Sequence, residues 1–188
     1  MSEQGILELP ILETKRLRLR KLKDTDVEDI FRYGSDEEVS RYVTWDRHQS
    51  IIDTKQYLEF AKGRYAEKQV APWGIEWKET GRIVGTIDFI WWKPKHGSAE
   101  IGYVLSRDFW GKGIMTEAAK EVIRFGFEDF EEMELIRIQA RCLDENIGSS
   151  RVMEKAGMRF EGILRKAMFT KGKHWDIKIY SILQDEQK

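Results

Sequence analysis

Among the residues whose types and spacing could do chemistry, the most telling run is Arg107-Asp108-Phe109-Trp110-Gly111-Lys112-Gly113-Ile114-Met115-Thr116-Glu117-Ala118. It follows the apolar run Ile101-Gly102-Tyr103-Val104-Leu105 and enters an amphipathic stretch, so a strand feeds a glycine turn that opens a helix. The first amides of a helix lack intrahelical acceptors and lie at the positive end of its dipole. Glycines there let a phosphate approach the backbone, and Lys112 adds a point charge. Two familiar phosphate loops are excluded. A dinucleotide fingerprint needs a glycine where Thr116 stands, and a P-loop needs Ser or Thr where Gly113 stands.

Two carboxylates could move protons. Strand alternation puts Glu100, Gly102 and Val104 on one face and Ala99, Ile101 and Tyr103 on the other. Glu100 therefore points to one side of a central strand, as a proton acceptor or as an ion-pair partner. Asp88, within Gly85-Thr86-Ile87-Asp88-Phe89, is its rival. Farther on, Asn146 and Ser149 follow the alternating run Leu135–Cys142, where Asn146 suits a turn and Ser149 a helix cap. The single cysteine, Cys142, reads as a packed hydrophobe. His48, His96 and His174 are too scattered for a metal site.

The elements that position these residues follow from periodicity. Arg16 to Arg20 alternates charge with leucine, which predicts a strand with Leu17 and Leu19 inward and the arginines in solvent. Thr25 and Glu28 have capping-box spacing before a short helix through Val27, Ile30 and Phe31 that stops at Gly34. Ser50 caps a second helix with Tyr57, Leu58, Ala61 and Tyr65 along one face. Trp73–Trp77, Arg82–Trp92 and Ala99–Leu105 read as successive antiparallel strands separated by short turns. The helix after the glycine turn carries Ala118, Ala119, Val122, Ile123 and Phe127 inward, so the Leu135–Cys142 strand returns parallel to the one before the turn. A helix from Ser149 to Ala156 and two strands joined through Lys171-Gly172-Lys173 complete the chain. The expected fold class is α+β (mixed α/β), a mostly antiparallel central sheet flanked by helices. Residues 1–188 are expected to form a single domain.

Asp108-Phe109-Trp110-Gly111-Lys112-Gly113 resembles the acyl-CoA loop of the GNAT N-acetyltransferases, Arg/Gln-x-x-Gly-x-Gly/Ala, with Asp108 a departure at the first position. Asn146, Ser149, Val152, Met153, Glu154, Lys155, Gly157 and Met158 are similar to the RimJ/RimL branch, which includes the ribosomal-protein alanine N-acetyltransferases. Leu12-Glu13-Thr14-Lys15-Arg16-Leu17 and Gly172-Lys173-His174-Trp175-Asp176 agree, so the resemblance spans about the whole chain.

The resemblance implies a GNAT-type sheet with one splayed parallel strand pair. It also implies acetyl-CoA as co-substrate and transfer of its acetyl group to a primary amine by direct attack in a ternary complex. The implied cofactor-binding residues are Tyr103, Val104 and Leu105 on the strand, Asp108, Trp110, Gly111, Lys112, Gly113, Ile114, Met115 and Thr116 at the turn, and Asn146 and Ser149 beyond the parallel return. Glu100 is the implied catalytic base, ahead of Asp88. Ser149 is the proton donor for departing CoA, since no tyrosine occurs between Asn146 and Gly157. Trp45, Trp73 and Trp175 fall on the acceptor side. The acceptor is expected to be a protein N-terminal α-amine, possible in a ribosomal protein; a small-molecule amine and a non-catalytic acyl-CoA-binding domain are the alternatives.

Composition sets the outer bounds. Lys and Arg number 32 against 33 Asp and Glu, a net charge of −1, without the basic excess that marks a nucleic-acid binder. One cysteine excludes an intrachain disulfide framework, and no apolar run is long enough to span a bilayer. A cytoplasmic protein, monomer or homodimer, without nucleic-acid or membrane partners and without metal, is the expectation.

Overall fold

The computed structural model describes residues 8–129 and 134–187. Its strands are β1 (Leu12–Glu13), β2 (Leu17–Arg20), β3 (Trp73–Trp77), β4 (Arg82–Lys93), β5 (Ser98–Leu105), β6 (Arg137–Leu143), β7 (Arg159–Thr170) and β8 (Lys173–Leu183). The helices are α1 (Val27–Gly34), α2 (Glu37–Ser40), α3 (Ile51–Ala66), α4 (Ile114–Arg124) and α5 (Ile147–Lys155). One sheet runs in the order β1-β2-β3-β4-β5-β6-β8-β7. Every neighbouring pair is antiparallel except β5 and β6, which the α4 crossover joins in parallel.

The two faces of the sheet carry different helices. On one, Leu17, Leu19, Trp73, Ile75, Ile87, Phe89, Ala99 and Ile101 pack against Ile114, Ala118, Ala119 and Val122 of α4 and Met153 of α5. On the other, α1 and α3 place Ile30, Tyr33, Leu58 and Ala61 against Leu22 and Ile83. A third cluster joins Leu143, Trp175 and Ile177 with Tyr42 and Met168, so the C-terminal hairpin holds the segment after α2. The α4 stripe is as its periodicity predicts, with Phe127 partly buried at its end.

Two local expectations are corrected. Arg20 does not face solvent: it is buried, donating to both Asp26 oxygens at 2.8 and 2.9 Å and lying 2.5 Å from Glu76 Oε2. The second face of β2 is covered by the turn into α1, and only a doubly paired guanidinium tolerates that burial. The spacing of Thr25 and Glu28 does not make the cap either. Asp26 accepts from the Lys23 amide at 2.7 Å and closes a 3₁₀ turn, Asp24–Asp26, ahead of α1.

The buried cluster predicts a contrast in stability. Asp26→Ala leaves Arg20 short of its bidentate partner and should cost about 3 kcal/mol or more in urea unfolding. Lys62→Ala, which removes exposed ion pairs to Asp24 and Glu59, should leave the unfolding midpoint nearly unchanged.

Candidate active site

The glycine turn is built as a preset backbone cradle. Gly111 and Gly113 both have φ +72°, a conformation that side chains with a Cβ rarely adopt, and no atom lies within 4 Å of where a Gly111 Cβ would stand. Gly113 is the N-cap of α4, and the turn from Gly111 to Gly113 is exposed. Trp110 Nε1 donates to the Leu105 carbonyl at 2.8 Å, pinning the turn to the end of β5. From the other side Arg16 donates to the Lys112 carbonyl at 3.0 Å and to Glu117 Oε2 at 2.6 Å, while Thr14 donates to Glu117 Oε1 at 2.6 Å. Burial alone would push the Glu117 carboxyl up, but these hydrogen bonds hold it below its ordinary value. Asp108 is exposed and Thr116 half-buried, whereas Ile114 and Met115 are core side chains and offer the site their backbone only.

Beside this turn the sheet forks. The parallel ladder between β5 and β6 has three pairs, Ser98–Arg137, Ala99–Ile138 and Glu100–Gln139, and stops there. Ile101–Leu105 on one arm and Ala140–Leu143 on the other are therefore not paired with each other. Glu100 stands at the crotch, 1% exposed. Gln139 Nε2 donates to its Oε2 at 2.7 Å, and Arg141 Nε lies 2.8 Å from its Oε1, an ionic contact off hydrogen-bond alignment.

At the far arm, Asn146 caps α5, its Oδ1 accepting from the Ser149 amide at 3.1 Å. The expectation that Ser149 itself caps this helix is thus corrected, because Asn146 already fills that position. The Ser149 hydroxyl instead lies 2.9 Å from the phenol of Tyr103, which also donates to the Ser149 carbonyl at 3.2 Å. Tyr103 belongs to the opposite arm, so this contact spans the fork. Cys142 Sγ sits 3.5 Å from Ser150 Oγ, and burial pushes its thiol up. The sequence placed Tyr103 among the cofactor-binding residues and on the face away from Glu100, but not against Ser149.

The second carboxylate stands on β4, on the sheet face away from the Tyr103 side chain. Register places Asp88 directly opposite Gly102, and a Cβ at Gly102 would come within 2.4 Å of Ile90 and 3.6 Å of Asp88 Oδ1. Among the described residues no donor is hydrogen-bonded to Asp88. Desolvation pushes its carboxyl up to about 7, with the charge of Arg64 opposing only in part. The Tyr57 phenol, itself pushed up by burial, feels the Asp88 charge. His48, stacked near Trp45 and Tyr57, shares a 2.7 Å hydrogen bond with Thr54. An open cleft of about 780 Å³ lies beyond, between Glu37, Arg41 and Arg47 on one side and Lys171, Lys173 and Trp175 of the C-terminal hairpin on the other. Lys171 ties the two sides together through the Trp45 carbonyl at 2.6 Å and Asp46 at 2.9 Å. Trp73, by contrast, is fully buried in the core and lines no acceptor surface.

Residues 16–159 match the family described as the acetyltransferase (GNAT) domain. The chain belongs to the GNAT acetyltransferase family. It is 36% identical over 178 residues to the uncharacterized N-acetyltransferase YoaA of Bacillus subtilis (strain 168), covering 95% of this chain and 99% of that one. A crystal structure of a GNAT-family acetyltransferase from Bacillus anthracis superposes with a TM-score of 0.81 at 32% identity, covering 94% and 99% of the two chains. The ribosomal-protein-serine acetyltransferase of Escherichia coli (strain K12) is 30% identical over 105 residues, 56% of this chain and 57% of that one, in keeping with the RimJ/RimL branch. The protein is thus an acetyltransferase, with acetyl-CoA as the family's acetyl donor, and its forked sheet is the GNAT fold. The open Gly111 surface and the unpaired strand arms fit a phosphate-bearing, extended ligand of this kind.

Two outcomes follow. Gly113→Val, which puts a β-branched side chain at φ +72°, should abolish acetyl-CoA binding in calorimetry, whereas an exposed Lys120→Ala control should bind like the parent. Asp88 is held neutral by burial, so folding takes up a proton between the ordinary carboxylate range and pH 7. The stability this carries is complete below the unfolded pKa and is lost as pH rises through about 7. Asp88→Asn should therefore melt higher than the parent at pH 8 and no higher at pH 4.

Proposed function

We propose that this acetyltransferase acetylates a protein N-terminal α-amine by direct attack in a ternary complex, with Asp88 as general base and Ser149 as proton donor. The observation that carries the reading is the contrast between the two carboxylates. Glu100, first choice from sequence, is enclosed at the fork, with Gln139 donating to one oxygen and Arg141 in ionic contact with the other. Asp88 has no such partner, is pushed up to about 7 by desolvation, and shares with Gly102 the sheet face on which α1 and α3 pack. A base works best with a pKa near the operating pH.

Acid–base matching also favours the acceptor. An α-amine titrates at about 7.7 to 8.0, within about one unit of Asp88, whereas a lysine at about 10.4 stands more than about three units away. Asp88 accepts a proton from the α-ammonium, and the neutral amine so freed attacks the thioester carbonyl carbon to form the new carbon–nitrogen bond. Ser149 gives its hydroxyl proton to sulfur as the carbon–sulfur bond breaks. The Gly111–Thr116 turn with Asp108 and Trp110 holds the pyrophosphate end, and the Tyr103–Leu105 arm with Asn146 holds the pantetheine. An open cleft of about 780 Å³ has room for a peptide end, and the Escherichia coli relative named for a ribosomal protein supports that class of acceptor.

Asp88→Asn should lower kcat/KM by roughly 10²- to 10⁴-fold and erase a rising limb near pH 7. Glu100→Gln should cost stability yet leave that limb in place; the opposite pattern returns the base to Glu100. For the acceptor, mass spectrometry of ribosomal proteins after incubation with enzyme and labelled acetyl-CoA should find label at N-terminal residues. Label only on lysine side chains, or only on added polyamines or antibiotics, rejects the α-amine.

A further inference from the structure

The geometry points to Tyr103 as a positioning residue for the Ser149 hydroxyl, acting across the fork. The inference rests on the reading of Ser149 as proton donor and adds a residue to it. A serine hydroxyl is a feeble acid, and left to itself its proton is free to rotate toward any nearby acceptor. Three features of the structure bear on this.

First, the helix cap is supplied by Asn146, so the Ser149 side chain is not consumed by an orphan amide. Second, the Tyr103 phenol lies 2.9 Å from Ser149 Oγ, having crossed from β5 at a point where β5 and β6 are no longer paired. Third, Tyr103 on β5 turns to the sheet face opposite that of Asp88 on β4, so proton acceptance and proton donation occupy opposite faces of the sheet. Burial pushes the phenol well above its ordinary value, so Tyr103 stays protonated throughout the working range.

A phenol has one proton to give. Two acceptors are within reach, the Ser149 carbonyl at 3.2 Å and Oγ at 2.9 Å. When Tyr103 donates to Oγ, the Ser149 proton is released to point into the fork. As that proton passes to the departing sulfur, negative charge develops on Oγ, and the Tyr103 hydrogen bond strengthens against it. The carbon–sulfur bond breaks and the sulfur–hydrogen bond forms; the Tyr103 proton shifts onto Oγ as Ser149 releases its own, and the phenolate left behind regains a proton before the next cycle. The helix lacks a tyrosine between Asn146 and Gly157, and the phenol reaches the same end of the helix from a neighbouring strand.

The test needs no acceptor amine. The thiol of bound CoA is titrated by ultraviolet difference absorbance against bound desulfo-CoA, which cancels the protein's own tyrosines. The parent, Tyr103→Phe, Ser149→Ala and the double variant are compared, each checked for intact CoA binding and melting. Each single substitution should weaken stabilisation of the bound thiolate by about tenfold, raising the apparent thiol pKa by about one unit. The double variant should match Ser149→Ala alone. Tyr103→Phe titrating like the parent while Ser149→Ala shifts overturns the role of Tyr103 only. Additive shifts in the double variant show that Tyr103 acts independently of Ser149 and also overturn it. Ser149→Ala titrating like the parent overturns the donor reading beneath it.

Discussion

The rest of the structure depends on where the parallel ladder stops. Two strands that paired along their whole length would close the sheet and leave no slot. Here β5 and β6 share three residue pairs, and the last of them puts Glu100 beside Gln139. A carboxylate 1% exposed is tolerated only with partners, and Gln139 and Arg141 supply them from the adjacent strand. That polar knot fastens the two strands at the crotch. Beyond it each strand follows its own helix, β5 into the Trp110–Gly113 turn and α4, and β6 into Asn146 and α5. Both helix N-termini thereby arrive at the mouth of one fork, and only the Tyr103–Ser149 contact spans it among the hydrogen bonds described.

Two carboxylates on the same face of one strand pair are set apart by environment alone. Glu100 and Asp88 lie on adjacent strands, each buried or half-buried. Glu100 has Gln139 and Arg141 against its oxygens, whereas Asp88, uncompensated, is raised by desolvation to about 7. The uncompensated one costs stability at neutral pH, a cost that a purely structural position would not retain. Gly102 opposite it leaves room for the Ile90 side chain, which lies 2.4 Å from where a Gly102 Cβ would stand.

Much of this was legible in the chain. The glycine turn, the strand before it and the βαβ return are local patterns with strong periodicity, and the structure has them within a residue or two. What sequence missed depends on partners far along the chain. The alternation of Arg16 to Arg20 reads as solvent-facing because the turn that covers Arg20 is set by tertiary packing of α1. Ser149 has the residue type of a cap, yet Asn146 three positions earlier takes the amide, and nothing in local spacing chooses between them. The partners of Glu100 were unreadable because Gln139 and Arg141 lie some forty positions beyond it and stand next to it across a parallel pair. The contact of the Tyr103 hydroxyl with Ser149 was hidden for the same reason: that partner lies 46 residues away.

The central claim is that the unpaired arms of the fork are the acetyl-CoA site. Amide hydrogen exchange, followed residue by residue with and without acetyl-CoA, tests it most directly. The account predicts that amides along Ile101–Leu105 and from Gly111 to Thr116 gain protection on binding, while β3, already paired on both edges, does not change. Protection appearing elsewhere, with the fork and the glycine turn unaltered, would contradict it.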